Sequence, residues 1–476
     1  MSVQLPSAGL SAVARERAGD ELIEAVRDLI RIPSINPPPD HSPDGELRAA
    51  TRIAQSLGDA GVPSEVHESV PGRGSVTARV RGDGTGGEPL LLLSHLDVVP
   101  APVEGWTHDP FGADIADGYI YGRGAVDMKH LVAMELTVMR MLAAEARAAG
   151  RDPASDPIPG LTRDVLFAST ADEEAGGLNG ILPIVLDRPE LLRAAGAVNE
   201  SGAVTTTIGD GRFYPIGIAE KGYAVYRITV HGTSGHGSMP RDDNAAVLAA
   251  AVVQRLAAPG PPRITPPMEG FLAEVRGSLN ADQRRLAEAL VGPDPRPAEV
   301  ALQATCDPFS ARLLRALLRD TVSPNMVHAG VKYNIIPGEA TVDVDCRILP
   351  GTTEEGMRAT LVERIGPELA RVCDVELVIY APAVDAPASG DLYETMVDTV
   401  RAHDPGSIPV PIIVPYATDA KHIAALETPA YGFSPLRLQP GEPFLELWHG
   451  VDERVRVDAL RWGLPVLYDV VRRFCG

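Results

Sequence analysis

The stretch Leu90–Pro100, LLLLSHLDVVP, decides the architecture. Four consecutive leucines do not alternate with polar residues, so this is no strand with one wet face. It reads as a strand buried on both faces, the kind found in the middle of a parallel sheet. Side chains alternate faces along a strand, so His95 and Asp97, two apart, point the same way at its C-terminal end. That end is where open α/β sheets place their ligands.

Working outward, SVTARV (75–80), DVLFAST (164–170) and GAVNES (196–201) read as further strands. Helical spacing runs over 21–30, 46–61 and 128–148. Strands alternating with helices predict a parallel sheet with crossovers. Near Glu220 the texture changes to KGYAVYRITVHG (221–232), an alternating strand of an open-faced antiparallel sheet. A helix at 244–258, a polar, proline-rich region at 259–299, strands at 331–337 and 340–349, a helix at 354–366 and a strand at 375–382 follow. The GDGTGG stretch (82–87) reads as a hairpin-like loop and lacks the setting of a phosphate cradle. The expectation is an α/β domain built from 1–219 and 383–476, with a mixed, mainly parallel sheet flanked by helices. An α+β domain with an antiparallel sheet, 220–382, is inserted into it.

The 476 residues carry a formal net charge of −21, which repels nucleic acid and anionic membrane surfaces. No apolar run reaches the roughly 20 residues a bilayer crossing needs. Cys306, Cys346, Cys373 and Cys475 have no metal-site or disulfide-scaffold spacing, and the first residues have no signal-peptide pattern, so a reduced cytoplasm is expected.

A lone HxD is more often a hydrogen-bonded pair at a strand end than part of a metal site. Here it has company: GRGAVDMKH sets Asp127 in a glycine-flanked turn, STADEEAGG sets Glu173 and Glu174 after a strand, and NESG sets Glu200 after another. Carboxylates gathered at one sheet edge repel one another unless a cation neutralises them. Carboxylate and imidazole donors without thiolate suit zinc, with cobalt or manganese as substitutes, and a shared carboxylate allows two ions.

These segments, with GWTHDPFGADIADGYIYGRGAVDMKH (105–130), HGTSGHGSMP (231–240), NIIPGEATVDVDCRILPG (334–351) and ELWHG (446–450), resemble the di-zinc M20 metallopeptidases across nearly the whole chain. That family includes aminoacylases, carboxypeptidases and dipeptidases. The resemblance implies a zinc-peptidase-like catalytic domain with an inserted lid and dimerisation domain. It implies that Asp127 bridges two zinc ions, that His95 and Glu200 complete one site, and that Glu174 and His449 complete the other. Glu173 is then the general base toward a bridging water, and Asp97 the carboxylate that orients His95. His236 would reach a partner's active site in a homodimer to stabilise the oxyanion. Asn334, Arg347 and Thr418 would bind the substrate carboxylate or the tetrahedral intermediate. Many peptidase members carry aspartate where Glu200 stands, and glutamate there is more typical of aminoacylase-like members. The favoured substrate is an N-acyl amino acid, the alternative a short peptide, and a catalytically silent binding protein the third reading. His130, His231, His328, His403 and His422 read as surface or satisfied histidines.

Overall fold

The computed structural model describes residues 12–38, 43–208, 211–292, 294–305 and 308–476. The chain divides into two compact units, one of Met1–Ile218, Ala386–Ile412 and Thr418–Gly476, the other of Ala219–Asp385 and Ile413–Ala417.

The first unit holds a mixed sheet. Its centre is parallel: strand Leu90–His95 lies between Val165–Thr170 and Gly196–Asn199, and Ala430–Gly432 follows beside Gly196–Asn199. Strands Gly74–Val80 and Ser64–Glu68 extend one margin antiparallel. The leucine run behaves as a two-sided strand must. Leu90 and Leu92 join the core formed with helices Ala12–Ile30, Gly45–Asp59, Lys129–Ala148 and Val457–Cys475. Leu91 and Leu93 join a separate core with Ile181, Ile184 and Ile423. All four are fully buried, each stabilising by about 2 kcal/mol. That burial anchors the strand whose last residue is His95.

Residues 82–87 do not form a hairpin. The strands on either side of them are separated in the sheet by Val165–Thr170, so the loop crosses over, with Asp83 N and Gly84 N donating to the carbonyls of Leu161 and Thr162. Consecutive strands are usually neighbours, and sequence alone does not reveal this exception.

In the second unit a four-stranded antiparallel sheet runs in the order Thr321–Ala329, Glu339–Ile348, Gly222–His231, Cys373–Ala381. Alternate residues (Ala224, Tyr226, Ile228, Val230 and Val342, Val344, Cys346) pack under helices Ala245–Ala257 and Glu354–Ile365. The expected strand at 331–337 shrinks to Ile335–Ile336, and Thr321–Ala329 is a strand the patterning did not reveal. The proline-rich region, for which the sequence named no elements, is helical: Pro266–Val275, Ala281–Leu290 and Arg296–Thr305, followed by Pro308–Leu317, with a small core of its own around Met268, Leu290, Ala298 and Leu318. Pro266 stands in a first turn, where its missing N–H is harmless, and Asn280 with Gln283 forms a reciprocal capping box. Of the cysteines, Cys346, Cys373 and Cys475 are free thiols, and Cys306 lies outside the described residues. No helix among the described residues is long and apolar enough to cross a membrane.

Candidate metal centre

The first unit gathers five of the expected donors into two groups, His95–Asp127–Glu200 and Asp127–Glu174–His449, each with ligand atoms within 4.8 Å of one another. Asp127 belongs to both, one oxygen to each. His95 Nε2 is 3.1 Å from its Oδ1, and His449 Nε2 is 3.3 Å from its Oδ2. Glu200 Oε1 is 3.8 Å from His95 Nε2, and Glu174 Oε2 is 3.3 Å from His449 Nε2.

The backbone explains the convergence. His95 ends its strand, Glu200 follows Gly196–Asn199, and Glu173–Ala175 is a single 3-10 turn after Val165–Thr170. Asp172 enters that turn at φ 66°, held by Asn179 N and Nδ2 on its Oδ2. His95 Nδ1 donates to the backbone carbonyl of Asp97 at 3.1 Å, with Asp97 Oδ1 at 3.5 Å, which leaves Nε2 free to bind. The Asp97 carboxylate has other partners as well: its oxygens accept the N–H groups of Glu173 and Glu174 and the amide of Asn36.

The electrostatics are those of an anionic cluster drawing in cations. Burial opposes the charged form of His95, but Glu200, Asp127 and Asp97 outweigh it and hold its pKa well above the ordinary value. Hydrogen bonds to Asp127 and Glu174 raise His449 to about 10. Burial works against ionised Asp127, yet His449 and His95 hold it low. Glu174 is pushed up by burial. A ligating imidazole must be neutral, so a metal binding here displaces protons. The donor set fits that exchange: only oxygen and nitrogen donors, and a buried Glu174 Oε1 with no hydrogen-bond partner.

Glu173 belongs to neither group. Burial first, then repulsion by Glu200 and Asp419, keeps its carboxyl well above the ordinary range. A carboxylate beside the donors, raised and unligated, is suited to moving protons.

A family model described as Peptidase family M20/M25/M40 matches residues 91–473. The chain belongs to this family. It is similar to the N-fatty-acyl-amino acid synthase/hydrolase of Xenopus tropicalis, 28% identical over 94% of this chain and 84% of the relative. Aminoacylase-1 of Sus scrofa is 27% identical over 92% of each chain. Among solved structures, the M20 family metallo-carboxypeptidase of Sulfolobus solfataricus superposes with a TM-score of 0.66 at 18% identity, over 96% of this chain and 99% of that one.

The other expected site residues of this M20 chain are not brought into the two donor groups. Thr418 is buried in the first unit, where its Oγ1 accepts from Asn199 Nδ2 at 2.7 Å and from Ala420 N. In the second unit His236 is exposed, with Nδ1 against Ser238 Oγ at 2.7 Å. Its turn pairs with Asn334: Gly237 N donates to the Asn334 carbonyl, and Asn334 Oδ1 is buried without a partner. Arg347 forks onto Asp345 of its own strand and lies over the Tyr223 ring. Of the histidines read as bland, His130 is buried against Ser434, His231 meets Asp374, His403 meets Asp469, His422 donates to the Gly176 carbonyl and His328 is exposed.

Several supporting residues escape sequence reading. Asn36, which binds Asp97, is itself held by Arg73, and Arg73 pairs with Glu46, whose other oxygen accepts Asp172 N. These residues act through backbone and polar neighbours, so no spacing marks them.

Proposed function

We propose that this M20 chain is a divalent-metal-dependent hydrolase of the amide bond in N-acyl amino acids. The observation that carries the reading is the pair of donor groups sharing Asp127, with unligated Glu173 beside them. Relatives named for N-acyl amino acid chemistry, alignable over more than nine-tenths of the chain, support the substrate class. His95, Asp127 and Glu200 would hold one ion, and Asp127, Glu174 and His449 the other. The donor set suits zinc, with cobalt or manganese as substitutes. Bound there, the ions supply Lewis acidity to the reacting centre.

The rest falls to the chain's own side chains. Glu173 takes the proton of the attacking water and passes it to the leaving nitrogen, so the amine departs neutral. Asp97 holds the Glu173–Glu174 turn by its two backbone N–H groups and keeps His95 in the tautomer with Nε2 unprotonated. Arg347 and Asn334 would receive the substrate carboxylate, Arg347 by exchanging its fork from Asp345. Thr418, its hydroxyl held by Asn199, would contact the same carboxylate.

His236 would donate to the oxyanion of a partner subunit's site, with the second unit as lid and dimer contact. Its edge strand exposes Leu377, Val378, Ile379 and Tyr380, and an uncovered apolar edge is a template for a second chain. The testing experiment is hydrolysis of N-acetyl and N-lauroyl amino acids and of dipeptides, with zinc or cobalt added, read as free amino acid released. Preference for dipeptides moves the assignment to a dipeptidase or carboxypeptidase. No turnover of any amide by metal-loaded protein leaves the binding-protein reading.

A further inference from the structure

The places of Asp127 and His449 depend on a buried ion pair that belongs to neither donor group. Arg123 and Glu453 are 2% and 0% exposed, and Arg123 Nη1 donates to Glu453 Oε2 at 2.6 Å. The other carboxylate oxygen, Oε1, accepts the backbone N–H groups of Val126 and Asp127 at 2.7 and 3.0 Å. Arg123 Nη2 donates to the backbone carbonyls of His449 at 3.3 Å and Pro100 at 3.4 Å. Its guanidinium also lies over the Trp106 ring. One pair therefore grips three backbone segments: the Asp127 turn, the His449 loop, and the exit of the strand that carries His95.

His449 makes that grip consequential. Its φ is 57°, in the left-handed region that residues with a β-carbon populate sparsely, so the surrounding structure must hold it there. Arg123 is bonded to its carbonyl. Resting on the metal-centre reading above, we propose that Arg123 and Glu453 form a positioning clamp that presets the Asp127–Glu174–His449 group for its ion.

The clamp is asymmetric, and that makes it testable. Arg123 reaches the backbone of His449, which serves one donor group only. His95 is fixed independently by its strand and by Asp97, and Glu200 by the end of Gly196–Asn199. Asp127, held by Glu453, serves both groups while His449 serves one, so loss of the clamp weakens the Asp127–Glu174–His449 ion more than the His95–Asp127–Glu200 ion.

The experiment dialyses wild type, Arg123→Lys, Glu453→Gln and the double variant Arg123→Met/Glu453→Gln against graded free zinc. It reads metal equivalents per chain by elemental analysis and the melting temperature of the chelated protein. The double variant removes both charges together, so no unpaired buried charge remains to unfold it, while Gln keeps an acceptor toward Val126 and Asp127. The expected result is one equivalent weakened on the order of 10–100-fold, as a partner behind a ligand typically does. The other equivalent, which shares only Asp127 with the clamp, weakens much less, and His449→Ala reproduces that inequality. A lowered melting temperature with both equivalents retained would make the pair merely structural and overturn the proposal. Equal weakening of both ions overturns it as well. Failure of wild type to bind zinc at all would instead sink the metal-centre reading. If the double variant does not fold, the two single variants carry the same comparison.

Discussion

Glu173 and Glu174 are chain neighbours with different surroundings, and the roles proposed for them rest on that difference. Glu174 Oε2 faces His449 and its Oε1 is buried without a partner, whereas Glu173 stands outside both donor groups. Replacing Glu173 by Gln keeps the shape and removes the base. Glu173→Gln should retain both metal equivalents yet lose on the order of 10²–10⁴-fold in kcat, the usual worth of a general base. Elemental analysis beside the rate measurement checks it; metal lost with the rate would mean that the two glutamates have exchanged roles. At this scale the sequence was informative because His95 ends a strand, Glu174 and Glu200 follow strands and Asp127 sits among glycines, whereas His449 was marked by the resemblance alone. Arg123 and Glu453 were silent: they lie 330 residues apart and act on backbone groups.

Helix Lys129–Ala148 was legible from its spacing, yet it carries a residue that spacing cannot explain. Glu135 is fully buried, and neither carboxylate oxygen has a hydrogen-bond partner of good geometry. Burial pushes its pKa well above the ordinary range, opposed only by the Ser94 hydroxyl. The folded chain thus keeps this proton at a pH where the unfolded chain releases it. Stability linked to Glu135 is complete below the ordinary carboxylate pKa and declines as pH rises through that value toward the folded one. Glu135→Gln abolishes the dependence. Its stability relative to wild type should grow by about 1.4 kcal/mol per pH unit across that window. Denaturant unfolding of both proteins at about pH 5 and pH 8 measures the difference, and a difference that stays constant refutes it. The helices between 266 and 317 show the converse failure of sequence reading. Their prolines look like breakers, but Pro266 begins a helix and Asn280 caps the next.

The order of strands across two units explains what was legible in the molecule as a whole. The change from a continuous apolar run at Leu90–Leu93 to alternation at Gly222–His231 marks the passage from a sheet buried on both faces to one covered on one face. If the chain pairs with a second copy as proposed, the same residues serve both partners, so spacing along one chain does not mark them. The exposed apolar edge at Leu377–Tyr380 and the exposed His236 fit a second copy. If His236 serves the partner's site, then Glu173→Ala and His236→Ala, each inactive as a homodimer, should complement when mixed under conditions of subunit exchange. Half the dimers formed are mixed, and each has one site with both residues intact. Activity should therefore return to roughly a quarter of wild type. Exchange verified by native mass with no activity regained would place His236 in its own chain's site. A monomer by light scattering would remove the dimer, and with it any role for His236 in a partner's site.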